Sequence, residues 1–165
     1  MSQPLEFQQR LARFLNMSAE LTAFSVFQLR GTGQASAYLN AIEGVIGEPM
    51  LTDLLNAHAA IAPVNNCDAR ANESRLEQLR QQIFGHEKLG AIARNIIKLW
   101  YIGTWHAVPA DWIARFAPRA PNCDFVVSPS SYVEGLLWPA IGAHPEGAKA
   151  QGFGSWARPP DIPTF

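Results

Sequence analysis

The densest apolar pattern in the chain runs from Lys88 to Trp105, KLGAIARNIIKLWYIGTW. Leu89, Ile92, Ile96, Leu99 and Gly103 recur at three- and four-residue intervals, the spacing of one helix face, while Ala93, Ile97, Trp100 and Ile102 fill the flanks. A helix apolar around so much of its circumference is covered by protein on most sides. The stretch is therefore predicted to be the central helix of the molecule, with Ile96, Trp100, Tyr101 and Gly103 in its structural core. Gly103, beside two aromatics, is expected to permit close approach of a neighbouring helix. None of these side chains has the character of a nucleophile, general base or metal ligand, so the centre reads as structural.

The remaining pattern supplies helices to pack around it. Pro4 opens an amphipathic first helix through Leu5, Leu11, Phe14 and Leu15, and Asn16-Met17-Ser18 predicts a new cap for a segment continuing into LTAF. Gly31 and Gly33 mark a break, followed by a helix that Gly47 closes and another that Pro49 opens. Residues 63–72 read as a polar connection, after which Asn72 or Ser74 caps a helix with Glu77 as capping-box partner of Ser74. Leu76, Leu79 and Ile83 give that helix its apolar face, and Gly85 ends it. Beyond the central helix, Pro109 opens a short helix stopped by Pro118 and Pro121. Ser128–Ile141 adds one more, interrupted by Pro139. The single strand-like run, Phe125–Val127, is too short to support a sheet. About seven helices without alternating strands predict an all-α compact bundle over residues 1–142.

Residues 143–165 change character. They are rich in glycine and proline yet carry Phe153, Trp156 and Phe165, unlike a solvated disordered tail. An extended arm of this kind is buried either against its own helices or across another protein. In the second case Phe153, Trp156, Pro159, Pro160 and Phe165 are the partner-binding residues. The aromatics would act as desolvated anchors, and the prolines would lower the entropy cost of holding the arm extended.

Composition sharpens this picture. Hydrophobic residues make up 48% of the chain and charged residues 16%, against about 25% charged in an average soluble domain, so much of the surface is expected to face something other than water. A net charge of −1 gives no footprint for nucleic acid or anionic lipid. No apolar run approaches the roughly 20 residues of a membrane span, and the N-terminus has no signal-peptide pattern. Cys67 and Cys123 lie in loop-like segments, NNCDAR and APNCDF. Either they form a disulfide, which implies an oxidising compartment, or they are two unrelated free thiols.

Candidate chemistry is sparse. GTGQAS lacks the lysine and spacing of a phosphate-binding loop and reads as a glycine turn before a helix. His58, His86, His106 and His144 are scattered without a metal-ligand pair, His58 reading as a satisfied, partly buried residue and His86 as a helix N-terminal one. GFGSW is not a nucleophile elbow. No catalytic, cofactor-binding or metal residue is assigned, and a non-catalytic helical subunit is favoured over an enzyme.

Four segments in order carry a family resemblance: FLNMSAELTAF (Phe14–Phe24), a glycine turn with a Tyr/Leu-containing helix (Gly31–Ile42), IIKLWYIGTW (Ile96–Trp105) and GFGSWARPP (Gly152–Pro160). In these the chain resembles the small (gamma) subunits of bacterial FAD-dependent sugar and polyol dehydrogenases, including sorbitol, fructose and glucose dehydrogenase complexes. The resemblance implies an accessory role. FAD and the oxidation of a sugar hydroxyl would belong to a large catalytic subunit of the glucose-methanol-choline type, which the small subunit folds and helps to export. A multihaem cytochrome c subunit would pass the electrons on. It further implies a periplasmic location. The twin-arginine signal of several relatives is missing here, which leaves a cytoplasmic complex as the other expectation. A self-associating helical protein without a dehydrogenase partner is the alternative from the residues alone.

Overall fold

The computed structural model describes residues 3–61, 69–117 and 120–145. Its first helix, α1 (Gln3–Thr22), runs unbroken through Asn16-Met17-Ser18, where the sequence predicts a new cap. Phe14, Leu15 and Met17 are buried there, and Ser18 is fully buried with them instead of standing free to cap a helix. The helix ends where the Thr22 hydroxyl donates back to the Ser18 carbonyl at 2.7 Å and Ala23 takes a φ of 62°. The cap lies further on. Ser25 accepts from the Gln28 N–H, and the Gln28 side chain accepts from the Ser25 N–H, a reciprocal box that opens α2 (Val26–Gly31).

The glycine turn is where the sequence puts it. Gly33, at φ 69°, precedes α3 (Ala35–Ile46). Gly47, at φ 80°, closes α3, and Pro49 sits in the first turn of α4 (Glu48–Ala60). Next comes α5 (Ala69–Leu79), which begins before Asn72 and Ser74, so neither caps it. Glu77 accepts from the Gln81 amide at 2.7 Å instead of closing a capping box. A π-helical turn over Arg80–Phe84 then carries the chain to Gly85, whose N–H reaches the Arg80 carbonyl at 2.7 Å. Leu79 and Ile83 are buried, but Leu76 is 52% exposed. The wide turn re-phases the helix, so the predicted three-residue face is reduced to two.

The central helix is α6 (Leu89–Ile102). The His86 Nδ1 accepts from the Lys88 and Leu89 N–H groups at 3.1 and 3.3 Å, satisfying orphan donors at its start. Leu89, Ile92, Ala93, Ile96, Leu99 and Trp100 are buried. The Trp100 ring stacks on Phe14 of α1 at 6.0 Å between centroids and meets Tyr38 of α3 edge-on at 4.9 Å. Tyr101 reaches α1 as well, donating to the Thr22 carbonyl at 3.0 Å. Gly103 lies outside the helix, not within it: it ends α6 in the left-handed region, at φ 70°.

The chain beyond α6 folds back over that end. Thr104–Trp105 forms a strand, β1, and after α7 (Ala110–Phe116) the run at Phe125–Val126 pairs with it antiparallel as β2. A run too short to support a sheet by itself thus finds a partner equally short. The single helix expected at 128–141 is two: α8 (Pro129–Val133), capped by Ser128, and α9 (Leu137–Ala140), with Pro139 inside it. These pieces satisfy the carbonyls that α6 leaves open. Leu136 N–H donates to the Trp100 carbonyl at 3.0 Å, and the Gly103 carbonyl accepts from Val127 N–H at 3.2 Å and from the Ser131 hydroxyl at 3.0 Å. The approach tolerates no side chain. A Cβ at Gly103 would lie 2.5 Å from the Ser131 carbonyl oxygen, and one at Gly135 would lie 2.6 Å from the Tyr101 carbonyl oxygen. Gly103 does permit a close approach, but that of a later short helix onto the end of α6.

Candidate functional site

The α8–α9 segment is anchored on its inner side. Gln34, just before α3, donates to the Ser130 hydroxyl at 3.2 Å and accepts from the Ser128 hydroxyl at 3.3 Å. Behind them the Tyr38 hydroxyl is buried, and burial holds the phenol well above its usual range, so it stays neutral at physiological pH. On the outer side the Trp138 indole donates to the Tyr132 carbonyl at 2.8 Å, and the two rings meet edge-on at 5.3 Å.

Between α2 and this anchored segment lies a groove of about 360 Å³. Phe24 and Gly31 line it from one side and Leu136, Trp138 and Pro139 from the other, while Gln28, Thr32, Glu134 and His144 add polar groups to the lining. Exposed apolar side chains sit on the elements that form it. Phe27, one turn before Gly31 on α2, is 87% exposed; Tyr132 and Ile141 are exposed on the opposite segment. A nearly bare phenylalanine on a capped helix has no role in this chain's own core, and together with a groove of this lining it marks a surface for apolar contact.

Two polar constellations elsewhere are structural. His58 of α4 is buried 3.2 Å from Glu20 of α1, and Arg75 of α5 pairs with the same carboxylate at 2.6 Å while donating to the Ile61 carbonyl at 2.9 Å. Burial outweighs the pull of Glu20 and holds the His58 pKa below its ordinary value, so the imidazole is neutral. His58 is thus a member of a three-helix clamp and is more buried than the sequence suggests; its Nε2 stands 3.2 Å from Glu20 without a well-formed hydrogen bond, so the expectation of a satisfied histidine is not met. His106 Nδ1 stands 3.2 Å from Asp124, whose other oxygen accepts from Ala107 N–H at 2.7 Å. The backbone bond to Ala107, with His106 second, lowers the Asp124 pKa. Asn122 bonds both backbone groups of Val108. These contacts seal the 120–124 loop to the chain after β1.

Among the described residues no group of three or more His, Cys, Asp and Glu could hold a metal ion, and no helix is long and apolar enough to cross a membrane. Ile96 and Trp100 are buried in α6, with the half-buried Tyr101 near its end and the buried Gly103 closing it. Cys123 is exposed in the loop before β2, in keeping with its flanking residues. Cys67 lies outside the described residues, as do Phe153, Trp156, Pro159, Pro160 and Phe165. Sequence reasoning missed Phe27, Gln34 and Asn95. Asn95 is buried mid-helix, donating to the His106 carbonyl at 2.6 Å. A signal existed for Phe27, since Ser25 with Gln28 three residues on is a capping box that places it in the first turn of a helix.

Compared with models of known families, with curated proteins and with solved structures, the chain gives no match.

Proposed function

We propose that this chain is a non-catalytic small subunit that binds, folds and stabilises a large FAD-dependent catalytic subunit of the glucose-methanol-choline type, acting on a sugar or polyol. The observation that carries the accessory reading is the exposed apolar surface on and beside α2, with Phe27 at 87% exposure. Such a surface suits a protein that spends its working life covered by another. The identity of the partner rests on the resemblance of four segments, from Phe14–Phe24 to Gly152–Pro160. On this reading oxidation takes place at the partner's FAD, a multihaem cytochrome c accepts the electrons, and the complex works in the periplasm. The arm with Phe153, Trp156, Pro159, Pro160 and Phe165 binds the catalytic subunit.

Co-expression with candidate neighbouring genes, above all any that encodes a flavoprotein of the glucose-methanol-choline type, tests the proposal. Expected is flavin-loaded, dye-reducing complex only when both chains are present. Deleting the residues after Gly152 should leave the helical circular dichroism of this subunit intact while lowering the yield of loaded partner. A catalytic subunit equally soluble, loaded and active without this chain overturns the reading. A stable complex of this chain with itself alone favours the self-associating alternative.

A further inference from the structure

The exposed face of α2 carries a projection and a gap side by side. Phe27 stands 87% exposed in the first turn of the helix, and Gly31, four residues on, ends it with no side chain. Residues four apart share one face of a helix and lie about 6 Å apart along its axis. Gly31 is exposed, its backbone is helical, and a Cβ there would meet nothing within 4 Å. The gap opens into the groove of about 360 Å³, whose far wall is Leu136, Trp138 and Pro139. One short helix therefore holds both an unpartnered aromatic ring and an apolar recess.

We propose that the free chain forms a reversible two-fold dimer, in which α2 of each copy lies antiparallel to α2 of the other and each Phe27 enters the other copy's groove beside Gly31. What singles out a second copy is that the knob and the hole sit on one helix. A two-fold interface is isologous, so wherever residue 27 of one copy meets residue 31 of its partner, residue 31 also meets residue 27. Two antiparallel α2 helices with the axis level with Leu29 satisfy this, since Phe27 and Gly31 lie two residues to either side of it. The chemistry agrees with the geometry. Phe24, Leu136, Trp138 and Pro139 offer an apolar seat to an aromatic ring, and Gln28 and Thr32 put polar groups beside it, the apolar centre and polar rim of a protein interface. The contact is also small. Two helices of six residues with one ring each bury less than the roughly 1,200 Å² of a standard complex, so the dimer is weak and exchanges quickly. It differs in this from a stable self-assembly, and a larger partner covering the same surface displaces it. The inference does not rest on the function proposed above: the dimer forms from this chain alone, and its failure would leave assembly with a catalytic subunit untouched.

Sedimentation equilibrium of the full chain, alone and over a range of concentrations, tests this. The average mass of the parent should rise from that of one chain toward that of two and stop there. Phe27→Ala removes the knob and Gly31→Leu fills the hole; both positions are exposed, so both variants should keep the circular dichroism of the parent. Each variant by itself should dimerise at least about tenfold more weakly than the parent. Mixed in equal amounts, the two should recover dimer. The Phe27 kept by the Gly31→Leu chain then meets the open hole of the Phe27→Ala chain, and the added leucine meets the space its missing ring has left. A mixture no more associated than the separate variants overturns the proposal, as does either variant dimerising at the parent's strength. Mass that climbs past the dimer overturns it too, since that marks a head-to-tail contact that does not close. A parent monomeric at every concentration overturns it likewise and leaves the groove to a different occupant.

Discussion

Trp100 concentrates the packing of three helices in one ring, wedged between Phe14 and Tyr38, yet its indole nitrogen is buried without a hydrogen-bond partner among the described residues. An unpaired buried donor costs about 1–3 kcal/mol, so the residue is held for its volume. Trp100→Ala should destabilise the fold by about 3–5 kcal/mol. Trp100→Phe should cost clearly less, because it keeps most of the ring and removes the orphan donor. Chemical denaturation of both variants checks the order, and equal losses would show that the indole ring's extra volume, not its nitrogen, dominates. Gly103 gives a sharper case. Its φ of 70° disfavours any side chain, and a Cβ would lie within 2.6 Å of three Ser131 atoms. Gly103→Ala is expected to cost about 2–5 kcal/mol, left-handed strain and overpacking together. A melting temperature equal to that of the parent would mean that α8 can lift off the end of α6 freely.

At the scale of elements, the His58 clamp joins α1, α4 and α5 and gives the fold a pH dependence. The groups facing the imidazole are Glu20, Arg75 and Arg13; burial lowers its pKa most, Glu20 opposes that, and the two arginines add to it. Folded His58 therefore titrates below 6.5 and the unfolded residue near it. The unfolded state binds the proton first, so the contribution is fully present above about pH 6.5, is lost as pH falls through that value, and stops changing once the folded state is protonated too. Thermal melts of the parent and of His58→Gln from about pH 7.5 to about 5.5 should show a steeper fall for the parent; parallel curves would place the titration elsewhere. Legibility in the sequence divides along the same line of local against distant causes. The centre of α6 is readable, because three-and-four spacing from Leu89 to Leu99 is written in consecutive residues. The glycine turns before α3 and after it are readable for the same reason. The unbroken α1 is not, since Ser18 has the composition of a cap and only burial by the other helices makes it an interior residue. Nor is the end of α6, whose shape is set by Ser131, Gly135 and Leu136, about thirty residues further on. The groove is illegible for that reason as well: its two sides, 24–32 and 133–145, are about a hundred residues apart.

The whole molecule presents two kinds of apolar residue, and substitution separates them. Core residues such as Ile96 and Trp100 hold the fold, whereas Phe27 is 87% exposed on a helix that its capping box already fixes. Phe27→Glu removes an apolar side chain from water and leaves Ser25, Gln28 and the buried Leu29 of α2 untouched. Its stability should therefore match the parent within about 0.5 kcal/mol, the usual range for surface changes. The surface properties should move instead. The parent, purified alone, is expected to elute as a broad, associating species and to bind an apolar dye; Phe27→Glu should elute closer to a monomer and bind less dye. On co-expression the same variant should recover less flavin-loaded catalytic subunit, because a carboxylate at the centre of an apolar contact must be desolvated without a partner. The three readouts must agree. A variant that loses stability would show Phe27 to be part of the fold. One that becomes monomeric yet assembles the full yield of partner would show that α2 mediates self-association only, and would move the assembly surface to the C-terminal arm alone.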